Sequence, residues 1–307
     1  MRFATIVILA AAVAGTAAGA STLAPARIAA RIATGNGPCS EGAGFGALWV
    51  SNIRDATIAR IDPATNKVTG KVPVEPGSQP CGVVAGADAL WIDGYGTGNV
   101  ERVDPTQMKV VAQIPVGPNL WDVEFGAGSV WGTSELDGTV SRIDPATNKV
   151  VAKIKAGSGP RQVRYGAGAI WVGNATGRNI WRIDPATNNA RAVPTGLLGP
   201  DSLAVSPRGI WVAANSGDVV VRLNTRTLKV AARVKVGFHP GNPAFAGDGS
   251  VFVPVVGEGT VVRIDPARNK VVGTWRVGKN PFPALFAFGD IWVPVSGGTS
   301  LVRFHVG

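Results

Sequence analysis

The chain has 307 residues, of which 45% are hydrophobic and 16% charged, and this balance excludes an intrinsically disordered protein. Glycine and proline together make up about a fifth of the residues, which indicates many tight turns and short strands. The formal net charge is +10, and the two cysteines and two histidines are too few for a Cys/His zinc cluster or a dense disulfide framework.

Residues 1–20 have the pattern of a secretory signal peptide. Arg2 precedes a long apolar run, and Ala18-Gly19-Ala20 supplies the small residues of a cleavage site. We therefore expect a secreted or periplasmic protein exported by the Sec route, with no membrane span after cleavage. The alternative is that the segment is retained as an anchor. No cysteine follows the predicted cleavage site, so a lipoprotein is not expected.

A unit of about 40 residues recurs seven times in residues 21–307. Each unit has an aromatic residue between aliphatic ones, as in Leu48-Trp49-Val50, followed in most units by a motif such as Arg60-Ile-Asp-Pro-Ala-Thr-Asn-Lys67. The aromatic positions are Trp49, Trp91, Trp131, Trp171, Trp211, Phe252 and Trp292. Each unit divides into four short strands, because Asp-Pro initiates turns and Asn tolerates the left-handed conformation. The sequence predicts an all-β, seven-bladed β-propeller with four antiparallel strands per blade.

The last repeat stops after its third strand, and the missing fourth strand is found at the other end of the chain. The segment Ile28–Ile32 stands 21 residues before Trp49, as Val150–Ile154 stands before Trp171. The N-terminal segment is therefore predicted to be the outer strand of the last blade. This arrangement closes the ring without leaving an unpaired sheet edge.

The phrase Ile143-Asp-Pro-Ala-Thr-Asn-Lys-Val-Val151 is followed by a Val-Gly-x-x-Pro turn and a Leu/Ile-Trp-Val strand in the typical unit. It resembles the YVTN-type propeller repeat of exported bacterial proteins and is similar to the related streptogramin (virginiamycin B) lyase propellers. The resemblance covers residues 26–307. It implies the propeller fold and, for the lyases, a His after the Pro that opens certain inner strands and a Glu at the end of the Trp-containing strand.

The matching positions of this chain hold other residues. After the Pro, or at the equivalent place, stand Cys39, Cys81, Arg161, Asp201, Gly241 and Phe282, with Leu120-Trp121 in the third blade. Three positions after each aromatic stand Asn52, Gly94, Ser134, Asn174, Ala214, Val255 and Val295. An elimination lyase needs a general base and a general acid. We therefore predict a binding or scaffold protein with no assigned catalytic residues, metal or cofactor. The alternative is a streptogramin lyase-like C–O lyase.

Polar and aromatic residues outside the repeat pattern fall in the loops of one propeller face. From the connections between blades come Trp121, Asp122, Arg161, Gln162, Asp201, His239 and Asn242. From the loops after the second strands come Asp93, Tyr95 and Glu135. These residues predict a pocket for a small ligand or a cell-envelope component around the mouth of the central tunnel. The alternative is ordinary loop polarity.

Basic residues occur in two periodic sets. One set is a ring on the third strands: Arg60, Arg102, Arg142, Arg182, Arg222, Arg263 and Arg303. We interpret these arginines as packing against the neighbouring blade, with polyanion binding as the alternative. The other set lies on the outer strands and includes Lys71, Lys153, Lys155, Arg233, Lys235 and Arg276. These residues discourage edge-to-edge aggregation, and an anionic polymer is an alternative partner for this basic rim. A monomer is expected.

Three further expectations concern the inner strands. Glu41 stands where the other inner strands carry aliphatic residues, which indicates either a tuned carboxyl group or a distortion around Gly42 and Gly44. Glu124 and Arg164 occupy the same position on adjacent inner strands and are predicted to form a salt bridge. Cys39 and Cys81 occupy equivalent positions on neighbouring blades and are predicted to form a disulfide, with two free thiols as the alternative.

Overall fold

The computed structural model describes residues 23–307, and the predicted signal peptide at residues 1–20 lies outside this range. All regular structure in the described range is β-strand. Strands β1 to β9 are Ala26–Ala33, Pro38–Gly44, Ala47–Asn52, Thr57–Asp62, Lys67–Pro73, Val83–Gly86, Ala89–Asp93, Asn99–Asp104 and Lys109–Pro115. Strands β10 to β17 are Leu120–Gly126, Ser129–Ser134, Thr139–Asp144, Lys149–Lys155, Pro160–Gly166, Ala169–Asn174, Asn179–Ile183 and Ala190–Pro194.

The remaining strands complete the second half of the ring. Strands β18 to β25 are Ser202–Ser206, Gly209–Ala213, Val219–Leu223, Val230–Lys235, Ala244–Phe245, Val251–Val255, Thr260–Asp265 and Lys270–Arg276. Strands β26 to β28 are Leu285–Ala287, Asp290–Val295 and Ser300–Val306. Among residues 23–307, no helix is long and apolar enough to cross a membrane.

The strands form seven four-stranded antiparallel sheets, so the predicted seven-bladed propeller is confirmed. Six blades each consist of four consecutive strands, from β2–β5 in blade 1 to β22–β25 in blade 6. Blade 7 has the order β1-β28-β27-β26. The first strand of each blade faces its equivalents in the neighbouring blades, so these inner strands surround a central channel.

The strand at the N-terminus closes the ring as predicted. Strand β1 pairs with β28 from Ala26 opposite Val306 to Ala33 opposite Ser300. A second contact joins the two ends of the ring, because the Arg303 guanidinium in blade 7 donates hydrogen bonds to Pro63 O at 2.7 Å and Asn66 Oδ1 at 2.8 Å in the turn after the third strand of blade 1. Strand β1 therefore completes blade 7, and the Arg303 side chain joins blade 7 to blade 1.

The core lies between neighbouring blades and is organised by the repeated aromatic residues. All seven, from Trp49 to Trp292, are almost completely buried. In five of the blades the indole N–H donates to the carbonyl five residues earlier, as from Trp49 to Gly44 at 3.0 Å and from Trp131 to Gly126 at 2.9 Å. This bond satisfies the one polar atom that an indole brings into the core.

The repeated arginines have the structural role that the sequence predicted. Each guanidinium carbon lies 4.9–5.9 Å from the centre of the aromatic ring in its own blade. Several also bond to the Asp-Pro turn of the next blade, as Arg102 does to Pro145 O and Asn148 Oδ1, both at 2.9 Å. Four of the arginines, Arg102, Arg142, Arg222 and Arg303, therefore join their blade to the next one, and all seven pack on the aromatic ring of their own blade.

Candidate functional site

The connections between blades and the loops after the second strands lie together on one face, which we call the connector face. Main-chain hydrogen bonds join the two kinds of loop, as from Glu135 N to Asn119 O at 3.1 Å and from Ala175 N to Gly159 O at 2.8 Å. The repeated turns after the third strands lie on the opposite face. The non-repeating residues of the connector face are thus held on a scaffold of regular hairpins.

Five of the predicted site residues line the mouth of the central channel on this face: Trp121, Asp122, Gln162, Asp201 and Asn242. The mouth is narrow, with an interior of ≈ 20 Å³, enough for about one water molecule. Its lining also includes Arg164, Ser202 and Asn215, which the sequence did not suggest as site residues. Five of the ten candidate residues therefore share one lining, and whether this lining binds a ligand stays a prediction.

An aromatic and charged cluster borders the mouth, formed by Tyr95, Trp121, Glu135, Arg161 and Asp201. The Tyr95 and Trp121 rings meet edge to face with centroids 5.4 Å apart, and the Arg161 guanidinium carbon lies 4.3 Å from the centre of the Trp121 ring. Arg161 Nε is 2.9 Å from Glu135 Oε1, and its Nη1 is 3.3 Å from Asp201 Oδ2. A guanidinium held by two carboxylates and an aromatic face is preorganised for polar recognition.

The carboxyl group of Asp201 is held in place by two hydrogen bonds from Asn215. Asn215 donates to it from its main-chain N–H at 3.2 Å and from Nδ2 at 3.0 Å. Burial raises the pKa of Asp201, while these Asn215 bonds and the charge of Arg161 act in the opposite direction. Asn215 thereby fixes the carboxyl group that in turn holds Arg161.

Two buried amides at the mouth have free hydrogen-bonding atoms. Gln162 Oε1 accepts from Leu203 N, but Gln162 Nε2 is buried without a partner in the described structure. Asn242 Oδ1 is likewise buried and unpartnered within residues 23–307. Buried polar atoms of this kind normally find partners, because leaving one unpaired costs about 1–3 kcal/mol. One unpaired donor and one unpaired acceptor are therefore buried in residues that line the mouth.

Below the mouth, the charged residues of the inner strands form the predicted salt bridge with an added partner. Arg164 Nη1 is 3.9 Å from Glu124 Oε2, so the predicted pair is confirmed. The closer partner is Asp122, whose Oδ2 is 2.6 Å from the same nitrogen and also accepts from Val163 N at 3.1 Å. Burial raises the pKa of Glu124 to about 7, although the charge of Arg164 works against the shift.

Glu41 is buried in the channel wall, directly after an irregularity of its strand. The pairing of β2 with β3 shifts register between Pro38 and Glu41, as it does at the equivalent place in blades 3 and 4, and is regular from Glu41 opposite Val50 to Gly44 opposite Ala47. The expected distortion therefore precedes Glu41 and does not lie at Gly42 and Gly44. The glycine allows the next blade to approach, since a Cβ on Gly42 would lie 2.5 Å from Val83 O. Glu41 is 5% exposed, and within residues 23–307 neither carboxyl oxygen has a hydrogen-bond partner. Burial therefore raises the pKa of Glu41 well above its usual range, and the charge of Arg164 offsets only part of this effect.

Cys81 lines the mouth on the side of blade 2, and Cys39 and Asp93 are bonded to it from behind the lining. Cys39 and Cys81 are joined in a disulfide with their Cα atoms 5.0 Å apart. The Cys81 N–H donates to Asp93 Oδ1 at 2.6 Å, and the Ser51 hydroxyl donates to Cys81 O at 2.5 Å. Burial raises the pKa of Asp93 well above its usual range, against the main-chain bonds from Cys81 and Gly82.

His239 lies apart from the other candidate residues. Its ring stacks on Phe238 with centroids 3.9 Å apart, and it lines a separate surface pocket that also contains Glu258, Arg276 and Lys279. The structure therefore does not bring His239 together with Asp201 or Glu135. In the part of the chain from residue 23 onward, no three Asp, Glu, His or Cys side chains are placed to hold one metal ion.

We expect the free energy of unfolding to decrease as the pH rises from about 4.5 to about 7. In this window Glu124 is ionised in the unfolded chain but protonated in the folded protein, because its pKa rises from 4.5 to about 7 on folding. The loss is on the order of 3 kcal/mol. The pKa values of Asp62, Asp104 and Asp144 are lowered in the folded protein. The stability that these carboxylates contribute is therefore lost only when the pH falls below this window. Urea unfolding of wild type and Glu124→Gln at several pH values measures the effect. An unchanged slope in Glu124→Gln would contradict it.

Several solved structures have a fold similar to this one. A streptogramin B lyase structure is 14% identical with a TM-score of 0.78, and the match covers 89% of this chain and 94% of that one. The virginiamycin B lyase from Staphylococcus aureus is 13% identical with a TM-score of 0.80, covering 92% and 100% of the two chains. A catalytically inactive variant of that lyase with quinupristin gives 12% identity, a TM-score of 0.79 and the same coverage.

A propeller of different activity matches almost as well. The Kuenenia stuttgartiensis hydrazine synthase is 18% identical with a TM-score of 0.73, and the match covers 87% of this chain and 95% of that one. No family model matches the sequence, and no curated protein matches it. The TM-scores show a streptogramin lyase-like propeller fold. At sequence identities this low the similarity shows the fold alone, and because propellers carry many activities, the fold does not determine the function.

Proposed function

We propose that this protein is an exported binding protein that holds a small polar ligand at the mouth of its central channel. The observation that carries the proposal is the pair of buried, unpartnered amide atoms, Gln162 Nε2 and Asn242 Oδ1, beside the fixed Arg161–Asp201 pair. A ligand that offers one acceptor and one donor would satisfy both amide atoms. Because the scaffold already fixes Arg161, little ordering entropy would be lost on binding.

The test is a thermal-shift screen of the mature protein against cell-wall glycan fragments, antibiotics including quinupristin, and divalent metals. Any compound that raises Tm is then measured by calorimetry against Trp121→Ala and Asn242→Ala. Arg226→Ala is the control, because Arg226 is exposed on the opposite face. We expect the two mouth variants to weaken binding about tenfold or more. A screen without hits, or equal binding by all variants, would overturn the proposal.

A streptogramin lyase-like activity is the second candidate, favoured by the fold shared with the virginiamycin B lyase. Such a reaction needs a proton acceptor and a proton donor. The carboxyl groups of Asp122 and Asp201 line the mouth and have raised pKa values because of burial, so the mouth offers groups of the required type. Incubation with quinupristin, followed by chromatography, tests this candidate. A linearised product formed by wild type and lost in Asp201→Asn would replace binding with catalysis as the proposed function.

A further inference from the structure

A cavity of ≈ 250 Å³ occupies the channel below the mouth, lined by inner strands of blades 1, 2, 3, 4 and 7. Its ionisable side chains are Glu41, Asp122, Glu124 and Arg164. Three carboxyl groups thus face one guanidinium, although the chain as a whole has a formal net charge of +10. The cavity therefore differs in charge character from the rest of the molecule.

The guanidinium is already committed to two of the three carboxyl groups. Arg164 Nη1 lies 2.6 Å from Asp122 and 3.9 Å from Glu124. Glu41 is left with neither an ion pair nor a hydrogen bond to either oxygen among the described residues. The two paired carboxyl groups and Arg164 form a self-contained unit, and Glu41 is the residue that lacks a partner.

The fold itself does not require a carboxyl group at position 41. The same position of the other inner strands holds Val83, Val123, Val163, Leu203, Ala244 and Ala284. A buried carboxyl group without a partner lowers stability, whereas valine at this position would pack as it does in three other blades. A destabilising residue that faces a cavity is typical of a binding site.

We propose that the cavity binds the ammonium end of a linear aliphatic amine, with Glu41 as the carboxylate that accepts it. The inference rests on the proposed ligand site at the mouth, through which the chain of the amine would extend. An ammonium group supplies a positive charge and three donors, which matches a carboxylate with two free oxygens. The mouth is narrow, so an unbranched chain is the shape of amine that we propose.

An organic cation fits the cavity better than a metal ion. In the described part of the chain, no group of three Asp, Glu, His or Cys side chains is placed around one point. Divalent cations such as Ca²⁺ and Mg²⁺ need six or more oxygen ligands in total, several of them usually from the protein. An ammonium group needs only one carboxylate and a few neutral acceptors. Glu41 carries the carboxylate, and Ser40 in the same lining carries a hydroxyl group.

The test is calorimetric titration of the mature protein with cadaverine, compared with pentanediol as the neutral analogue of equal length and with MgCl₂. We expect binding of cadaverine alone. Glu41→Val should weaken it at least about tenfold while leaving Tm equal to or above that of wild type. Glu41→Gln removes the charge with little change of shape. It should weaken cadaverine binding in the same way and replaces the valine variant if that variant fails to fold. Glu258→Gln, exposed on the same face outside the channel, is the matched control.

The outcomes separate this inference from the proposed function. Absence of cadaverine binding, equal binding by Glu41→Val, or binding of Mg²⁺ in place of cadaverine would each overturn the inference. If another compound binds and Trp121→Ala abolishes its binding while cadaverine fails, the ligand site at the mouth stands and the amine assignment falls. If neither cadaverine nor any screened compound binds, both are wrong.

Discussion

A chain that lacks residues 26–34 is expected to lose most of its stability and to aggregate. The deletion removes β1, and with it every main-chain hydrogen bond along the outer edge of β28. It also removes the buried Ile32 side chain and the bond from Arg31 Nη1 to Val277 O at 2.6 Å. Burial of one isoleucine alone contributes about 1.5–3 kcal/mol. The freed edge of β28 would then be available to pair with other chains.

The experiment compares Tm by circular dichroism and oligomeric state by size-exclusion chromatography for the deleted and mature chains. A synthetic peptide covering residues 23–34 should restore both when added in trans, because an added strand regains the edge hydrogen bonds. The same peptide with Ile32→Asp is the matched control and should restore neither. A deleted chain that remains monomeric with an unchanged Tm would contradict the role assigned to β1.

The ring closure could be predicted because the spacing between strands is the same in each repeat. Six complete units show that an outer strand begins about 20 residues before the next aromatic residue, and Ile28–Ile32 satisfies that spacing relative to Trp49. The salt bridge between Glu124 and Arg164 was predictable for the same reason, since equal positions on adjacent inner strands become neighbours. Asp122 was missed as the closer partner because side-chain direction, not strand position, decides which of two carboxyl groups a guanidinium reaches.

The position of His239 shows where this kind of reasoning stops. His239 stands before Pro240, and its main-chain N–H donates to Gly217 O in the loop beside it at 2.9 Å. Asn242 stands after Pro240 and reaches the mouth. Arg161 and Asp201 also follow the Pro of their connection and also lie at the mouth. The place of a residue relative to this Pro therefore indicates whether it lies near the rim or near the channel, and that signal was available in the sequence.

Glu41 illustrates the opposite case, in which the sequence identified the residue but not its state. The flanking Gly42 and Gly44 suggested that the strand is irregular at the glycines, whereas the register shift lies before Glu41. The glycines make room for the inner strand of blade 2, since a Cβ on Gly44 would collide with the Cβ of Ala85. Close approach between blades depends on the three-dimensional packing of two strands about 40 residues apart. A glycine required by that approach looks the same in the sequence as a glycine required by a bend.

Replacement of both Cys39 and Cys81 by serine is expected to lower the free energy of unfolding by about 4 kcal/mol. The disulfide closes a loop across a sequence separation of 42, and the chain-entropy treatment gives about this value for a loop of that length. The unfolded, unreduced mature protein should show no reactive thiol, and the reduced protein should show two. Urea unfolding of wild type and the double variant, with and without reductant, measures the difference in stability.

The same bond should also affect ligand binding, because Cys81 lines the mouth and its N–H donates to the buried Asp93. Without the disulfide, the connection before β6 keeps the bond from Ser51 Oγ in β3 to Cys81 O but loses its covalent link to β2. We expect reductant to weaken ligand binding by wild type and to have no effect on the double serine variant, which is the matched control. Two thiols that react in the unreduced protein would instead support free cysteines at the mouth. In that case the serine variant should be as stable as wild type. The connection before β6 would then be held by the hydrogen bonds of Cys81 with Asp93 and Ser51.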